Sequence, residues 1–173
     1  MPFVLKRKSE GVCPRGFKEF YPFTGKKGHD GVDSAGWLWF SKVYFSADYE
    51  GFLHLETDAD RGLGVDIVSK KPILQCTETG CGAIHHVKKR YWHLSKRYGT
   101  EGQIVLPGML VGRVGNSGAS SGVHLHDATM WCAPDGKTMH TDNGYGGAFD
   151  DSGYFTNEFI NSNINNMIKK IAL

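Results

Sequence analysis

Short runs rich in aromatic and β-branched residues, each closed by glycine or a polar turn, recur through most of the chain. That rhythm predicts strands. Two of them, 43–47 and 51–57, flank the turn Asp48-Tyr49-Glu50, and others are expected at 64–69, 71–76, 83–95, 109–114 and 123–131. Strands at such short, turn-punctuated intervals predict a mainly β protein built of antiparallel sheets. Gly115-Asn116-Ser117-Gly118-Ala119-Ser120-Ser121-Gly122 reads as a loop that delivers the chain into the 123–131 strand.

After Trp131 the pattern changes. Residues 132–155 are polar, contain Gly144, Gly146 and Gly147, and read as a long surface connection. Ile160, Ile164, Met167, Ile168 and Ile171 then recur at helical spacing. They predict one C-terminal amphipathic helix over about 157–172, capped by Thr156 or Asn157. Packing against the sheet is its expected role, since Lys169 and Lys170 are its only basic residues. Residues 1–24 read as an irregular approach, and the whole chain of 173 residues as one domain.

Composition narrows the function classes without choosing one. Hydrophobic residues make up 40% and charged residues 22%, ordinary for a soluble globular protein. A formal charge of +2, with basic residues scattered apart from Lys88-Lys89-Arg90, argues against a nucleic-acid partner. No apolar run is long enough for a transmembrane segment or a signal peptide. The oligomeric state is left open. Cys13, Cys76, Cys81 and Cys132 have no framework spacing and leave the compartment undecided.

The histidines and aspartates change the picture through their spacing. In His124-Leu125-His126 two imidazoles stand two residues apart in an expected strand, so both project from one face. In Gly28-His29-Asp30-Gly31-Val32-Asp33, a straight strand would hold His29 and Asp33 roughly 13 Å apart, too far to share an ion. If they share one, the chain bends between them, and Gly31 is placed to permit it. Two imidazoles and a carboxylate form a common catalytic zinc set that leaves one position for water. In Tyr91-Trp92-His93-Leu94-Ser95, His93 is expected on one strand face with Tyr91 and Ser95, as a hydrogen-bonding histidine.

Neither spacing is diagnostic by itself, but the three segments occur in a telling order. Gly28-His29-Asp30-Gly31-Val32-Asp33, then His93-Leu94-Ser95, then the run from Gly115 to His126 resemble the motifs of the lysostaphin/LytM-type zinc peptidoglycan endopeptidases. Those motifs are H-x-G-x-D, a central H-L-S, and G-x-S-x-G-x-H-L-H. The resemblance covers about residues 25–130. It implies a mainly antiparallel β fold with an open groove, Zn2+ held by His29, Asp33 and His126, and catalytic roles for His93 and His124. It implies hydrolysis of peptide cross-links in bacterial peptidoglycan, and action at the cell wall, extracellular or periplasmic. Without a signal peptide in this chain, a phage lysin or virion-associated protein is favoured, although a domain excised from a secreted bacterial protein fits equally; the alternative function is a non-enzymatic cell-wall-binding or regulatory module on the same fold.

Some positions depart from the family pattern. Val123 stands where a proline is usual, and Asp127-Ala128 where Phe-Glu is usual, so Asp127 is expected to alter how the groove edge receives substrate. The segment 72–90 is longer than usual and carries Cys76, Cys81, His85 and His86. An ordinary turn is favoured there over a second metal site, because adjacent histidines point to opposite faces of a strand. His54 and His140 read as surface histidines. Asp58, Asp60 and Asp66 read as turn and strand-edge residues. Trp37, Trp39, Tyr44 and Trp92 either line a groove or pack a strand face.

Overall fold

The computed structural model describes residues 12–15, 28–35, 39–77 and 80–149. The expected helix at about 157–172 lies outside them, as does Trp37. Among the described residues the regular elements are strands and a single 3-10 turn. The strands are β1 (Val12–Arg15), β2 (Val32–Ala35), β3 (Lys42–Tyr44), β4 (Gly51–Asp58), β5 (Gly62–Ser69) and β6 (Ile73–Thr77). They continue with β7 (Gly80–Arg97), β8 (Ile104–Val105), β9 (Leu110–Val114), β10 (His124–Cys132) and β11 (Ala148–Phe149). No helix among these residues is long and apolar enough to cross a membrane.

All pairings are antiparallel, and the main path runs β1-β2-β10-β7-β5-β4-β8. β7 is the axis of the fold. Its 18 residues pair with β6 at the start, with β10 and β5 along the middle, and with β9 at the end. Most expected strands appear within a few residues of their sequence positions, but one pairing differs. The 43–47 and 51–57 runs do not form a hairpin with each other: β3 pairs with β9, and β4 with β5 and β8. Regular pairing of β3 ends at Tyr44, although Phe45 still exchanges backbone hydrogen bonds with the 108–109 turn.

The core explains that arrangement. Leu53, Val65, Ile67, Tyr91, Leu94 and Leu125 from one face of the sheet pack with Val43, Phe45, Val111 and Val114 from the β3–β9 ribbon. All are buried, and most are fully shielded from water. Pairing β3 with β9 therefore closes a ribbon over the apolar face, which a β3–β4 hairpin would leave open. The stretch after β10 is also more than a surface connection. β11 returns to pair with β10, and Phe149 stacks on Trp131 with ring centroids 4.3 Å apart.

The opposite face of the sheet carries charge. Asp66 is not a strand-edge residue; it sits at the centre of β5, 2% exposed, between β4 and β7. Arg90 Nε and Nη2 donate to its two carboxylate oxygens at 2.8 and 2.6 Å, and Lys88 Nζ lies 3.3 Å away. Burial works against the Arg90 cation, but Asp66 more than offsets it, and the guanidinium pKa rises above its ordinary value. Asp58 does behave as a turn residue, its Oδ1 accepting from the backbone N–H of Asp60 and Arg61.

Removing Asp66 leaves two buried cations without their counter-ion. Asp66→Ala is expected to cost about 3–5 kcal/mol, read as a lowered urea midpoint at unchanged m-value. A loss under about 1 kcal/mol, typical of an exposed pair, would contradict this account.

Candidate metal centre

The site forms where β2, β10 and β7 lie side by side. β2 and β10 pair so that Asp33 stands directly opposite His126, and their side chains share a face. His29 comes from the bend just before β2, which brings its Nε2 to 3.3 Å from Asp33 Oδ1. His126 Nδ1 lies 3.1 Å from His29 Nε2 and 3.1 Å from Asp33 Oδ1. The three side chains are largely buried, at 5%, 10% and 12% exposure.

The expected bend between His29 and Asp33 is present, but Gly31 serves it differently from the expectation. Its φ is not among the left-handed ones. What matters is space: a Cβ at Gly31 would lie 2.5 Å from the Asp127 carbonyl oxygen and 2.7 Å from the His126 ring.

Hydrogen bonds alone serve this triangle poorly. If both ring nitrogens carry protons for Asp33, those protons face each other across 3.1 Å. One cation satisfies all three donors at once. Tetrahedral zinc with bonds of about 2.0–2.1 Å spaces its ligands by about 3.3–3.4 Å, and the spacings here are 3.1, 3.1 and 3.3 Å. The residues therefore fit zinc, and among the described residues they form the group able to hold a metal. Burial opposes ionisation of Asp33, but hydrogen bonds and charge from His126 and His29 outweigh it. They hold the carboxyl well below the usual carboxylate range.

His93 and His124 complete the cluster. His124 shares the face of His126, as the two-residue spacing predicts, while Leu125 between them enters the core. His124 Nε2 lies 3.7 Å from Asp33 Oδ1. The His93 ring stands 4.5 Å from that of His124 and 6.2 Å from that of His126, centroid to centroid.

His93 does not share a face with Tyr91. Tyr91 and Leu94 both belong to the core, three residues apart, which regular alternation forbids. A β-bulge resolves the conflict. On the β5 flank two steps, from Val65 to Leu63, match three along β7, from Tyr91 to Leu94, and His93 takes a left-handed φ of 62°. The extra residue turns the imidazole toward the His29, Asp33 and His126 group while Leu94 returns to the core. Tyr91 instead bonds Ser46 on the far side of the sheet. Asp127 also lies on that far side, 2.6 Å from Lys89 Nζ, so it does not shape the groove edge as expected.

The Gly115–Gly122 loop sets the tautomers of both histidines, a function the sequence does not display because the acceptors are backbone atoms. His93 Nδ1–H donates to the Ser117 carbonyl at 2.9 Å, and His124 Nδ1–H to the Gly122 carbonyl at 2.8 Å. A carbonyl offers no proton, so each neutral ring keeps its lone pair on Nε2. The loop is itself pinned. Ser117 Oγ donates to Leu94 O and accepts from Leu63 N–H, and Ala119 N–H donates to Asp60 O.

The remaining sequence candidates fall outside this cluster. His54 pairs with Glu101 at 2.6 Å near the surface, and His86 Nδ1 donates to Ser69 O. His85 lies beside Trp131 and His140. The side chains of Cys76 and Cys81 lie outside the described residues. Trp92 is buried, flanked by the Arg61 and Arg90 guanidinium groups, whereas Trp39 is half exposed against Phe40 and packs no strand face.

Two outcomes follow. Gly31→Ala should keep the fold but lose metal uptake by at least about tenfold, measured as zinc content after loading beside an unfolding curve; normal uptake would refute the space argument. Burial, with the nearby His124 and His126, lowers the His93 pKa despite the Ser117 carbonyl and Asp33. Its ring should thus titrate below about 6.5 in an NMR pH series of the metal-free protein. The unfolded chain takes that proton first, so stability falls as pH drops through the unfolded value.

No family model matches the chain, and no curated protein matches it significantly. Solved structures do. The catalytic domain of the prophage-encoded M23 protein EnpA from Enterococcus faecalis, in a single-residue variant, superposes with a TM-score of 0.57 at 22% identity. That match covers 82% of this chain and 96% of the other. The catalytic domain of the antimicrobial peptidase lysostaphin from Staphylococcus simulans gives 0.56 at 21% identity, covering 81% and 86%. A zinc-containing peptidase from Vibrio cholerae gives 0.55 at 23% identity, covering 75% of this chain but only 35% of that larger one. The fold of this chain is the fold of the lysostaphin/LytM-type peptidases.

Proposed function

We propose that the protein is a zinc-dependent endopeptidase that hydrolyses peptide cross-links of bacterial peptidoglycan. The observation that carries this reading is the three-donor triangle with spacings of 3.1, 3.1 and 3.3 Å, set beside two histidines whose Nε2 lone pairs are fixed by the loop. Likeness to peptidases of known structure supports the reaction type, and resemblance to the family motifs supports the substrate. One structural neighbour is described as containing zinc and another as prophage-encoded. The second agrees with a role as a phage lysin or virion-associated wall-degrading protein.

Bound by His29, Asp33 and His126, zinc supplies Lewis acidity that polarises a carbonyl and brings the pKa of a water to about 7. The chain's own residues handle the protons. His93 and His124 present two Nε2 atoms beside the cluster, each on a ring held at Nδ1 by a backbone carbonyl. One Nε2 accepts a proton from the attacking water. The other donates from Nε2 only as the imidazolium, its Nδ1–H still on its carbonyl; in that form it hydrogen-bonds the developing oxyanion, passes its Nε2 proton to the leaving amine, and is neutral afterwards. The Nε2 lone pair on each ring equips either histidine to serve as base. Asp33, its carboxyl held well below the usual range by His126 and His29 against the cost of burial, supplies the anionic donor of the set.

Purified cell walls should be lysed by the zinc-loaded protein, protected by a chelator, and lysed again when zinc is restored. His93→Ala and His124→Ala should each lower kcat/KM by about 10²–10⁴-fold while zinc content stays the same, and His126→Ala should lose both. A zinc-loaded sample that leaves walls of every cross-link chemistry intact, as judged by mass spectrometry of the released peptides, would defeat the substrate assignment. Walls bound but never cut would favour the non-enzymatic module.

A further inference from the structure

We infer that Asp30 is a positioning residue for the metal site: its carboxylate holds the Nε2–H of His126 and so commits Nδ1 to the metal. The inference rests on the zinc reading above and adds a residue that the motif leaves unspecified.

His126 turns Nδ1 toward His29 and Asp33. A neutral imidazole has one ring proton, so a lone pair on Nδ1 requires the proton on Nε2. Nε2 faces Asp30, whose Oδ1 lies 3.9 Å away. Asp30 is itself buried, at 9% exposure, and its other oxygen lies 4.0 Å from Arg61 Nη2. The Arg61 guanidinium in turn rests over the ring of Trp92, the cross-strand partner of His126.

Two elements thus converge on the back of one ligand: the bend before β2 supplies Asp30, and the β4–β5 turn supplies Arg61. Gly31 belongs to the same construction, because a Cβ there would lie 2.7 Å from His126 Nε2. A direct charge-assisted bond needs about 2.7–2.9 Å, so a shift of about 1 Å or one bridging water completes the contact. A carboxylate behind a metal-bound histidine fixes its tautomer and ring orientation and raises its donor strength.

The measurements use the zinc-loaded protein, because without zinc the ionised Asp33 carboxylate, 3.1 Å from Nδ1, draws the His126 proton to that side. The first is zinc affinity by chelator competition. Asp30→Ala should weaken it about 10–100-fold, and Asp30→Asn less, since its amide oxygen still accepts. The second is solvent exchange of the His126 Nε2–H in 15N-histidine-labelled protein, which should be faster in Asp30→Ala. Zinc affinity unchanged in Asp30→Ala overturns the inference. If Asp30→Ala fails to fold, the Nε2–H of the unsubstituted zinc-loaded chain decides: a downfield, slowly exchanging proton supports the carboxylate contact, and a freely exchanging one overturns it. An unsubstituted chain that takes up no zinc defeats the metal reading itself, whereas zinc uptake with unchanged affinity in Asp30→Ala defeats the inference alone.

Discussion

The register between β2 and β10 governs the rest of the site. Asp33 and His126 are direct partners in that ladder, so their side chains emerge on the same face a few ångströms apart before any metal is considered. A slip of one residue would turn His124 and His126 into the core and Leu125 into the groove. The core opposes such a slip, because Leu125 packs among Leu53, Val65, Tyr91 and Leu94. The apolar face therefore sets the geometry of the polar one. β10 also pairs with β7 on its other edge, so the strand bearing two histidines is held from both sides.

The bulge at His93 is the second constraint, and it shows how a strand can serve two faces. β7 must return Leu94 to the core after Tyr91 and Trp92, yet must also present an imidazole to the groove. One left-handed residue does both. The conformation carries a cost of order 1–3 kcal/mol for a non-glycine residue. The Ser117 carbonyl bond and the long His93 N–H to Arg61 O contact help to hold it. Strain thus sits beside the candidate site.

The sequence made the candidate ligands legible because their message is local. A single residue between two imidazoles, a glycine inside H-x-x-x-D and the order of three motifs can all be read without knowing what pairs with what. The features it hid depend on partners far along the chain. The bulge requires knowing that Tyr91 and Leu94 share one core. The burial of Asp66 requires Arg90 and Lys88 across the ladder, and the pairing of β3 with β9 requires the whole apolar face to be covered. Strand positions were readable where alternation is strong, as in β4, β5 and β10. The two-residue strands β8 and β11 have too little pattern to announce themselves.

The loop that fixes His93 and His124 does so through peptide carbonyls, and this shapes how the site tolerates sequence change. Replacing the side chain of residue 117 or 122 cannot delete either acceptor, since every amino acid supplies the same oxygen. What can drift is the placement of those oxygens, which depends on Ser117 Oγ bridging Leu94 and Leu63 and on Ala119 N–H reaching Asp60. The rings of His93 and His124 are thereby exposed mainly to substitutions that loosen this anchor, and His124 also to those at Ser120, whose Oγ donates to Gly122 O and lies 3.1 Å from its Nδ1. The backbone thus guarantees that the two acceptors exist, and a few side chains decide only where they stand.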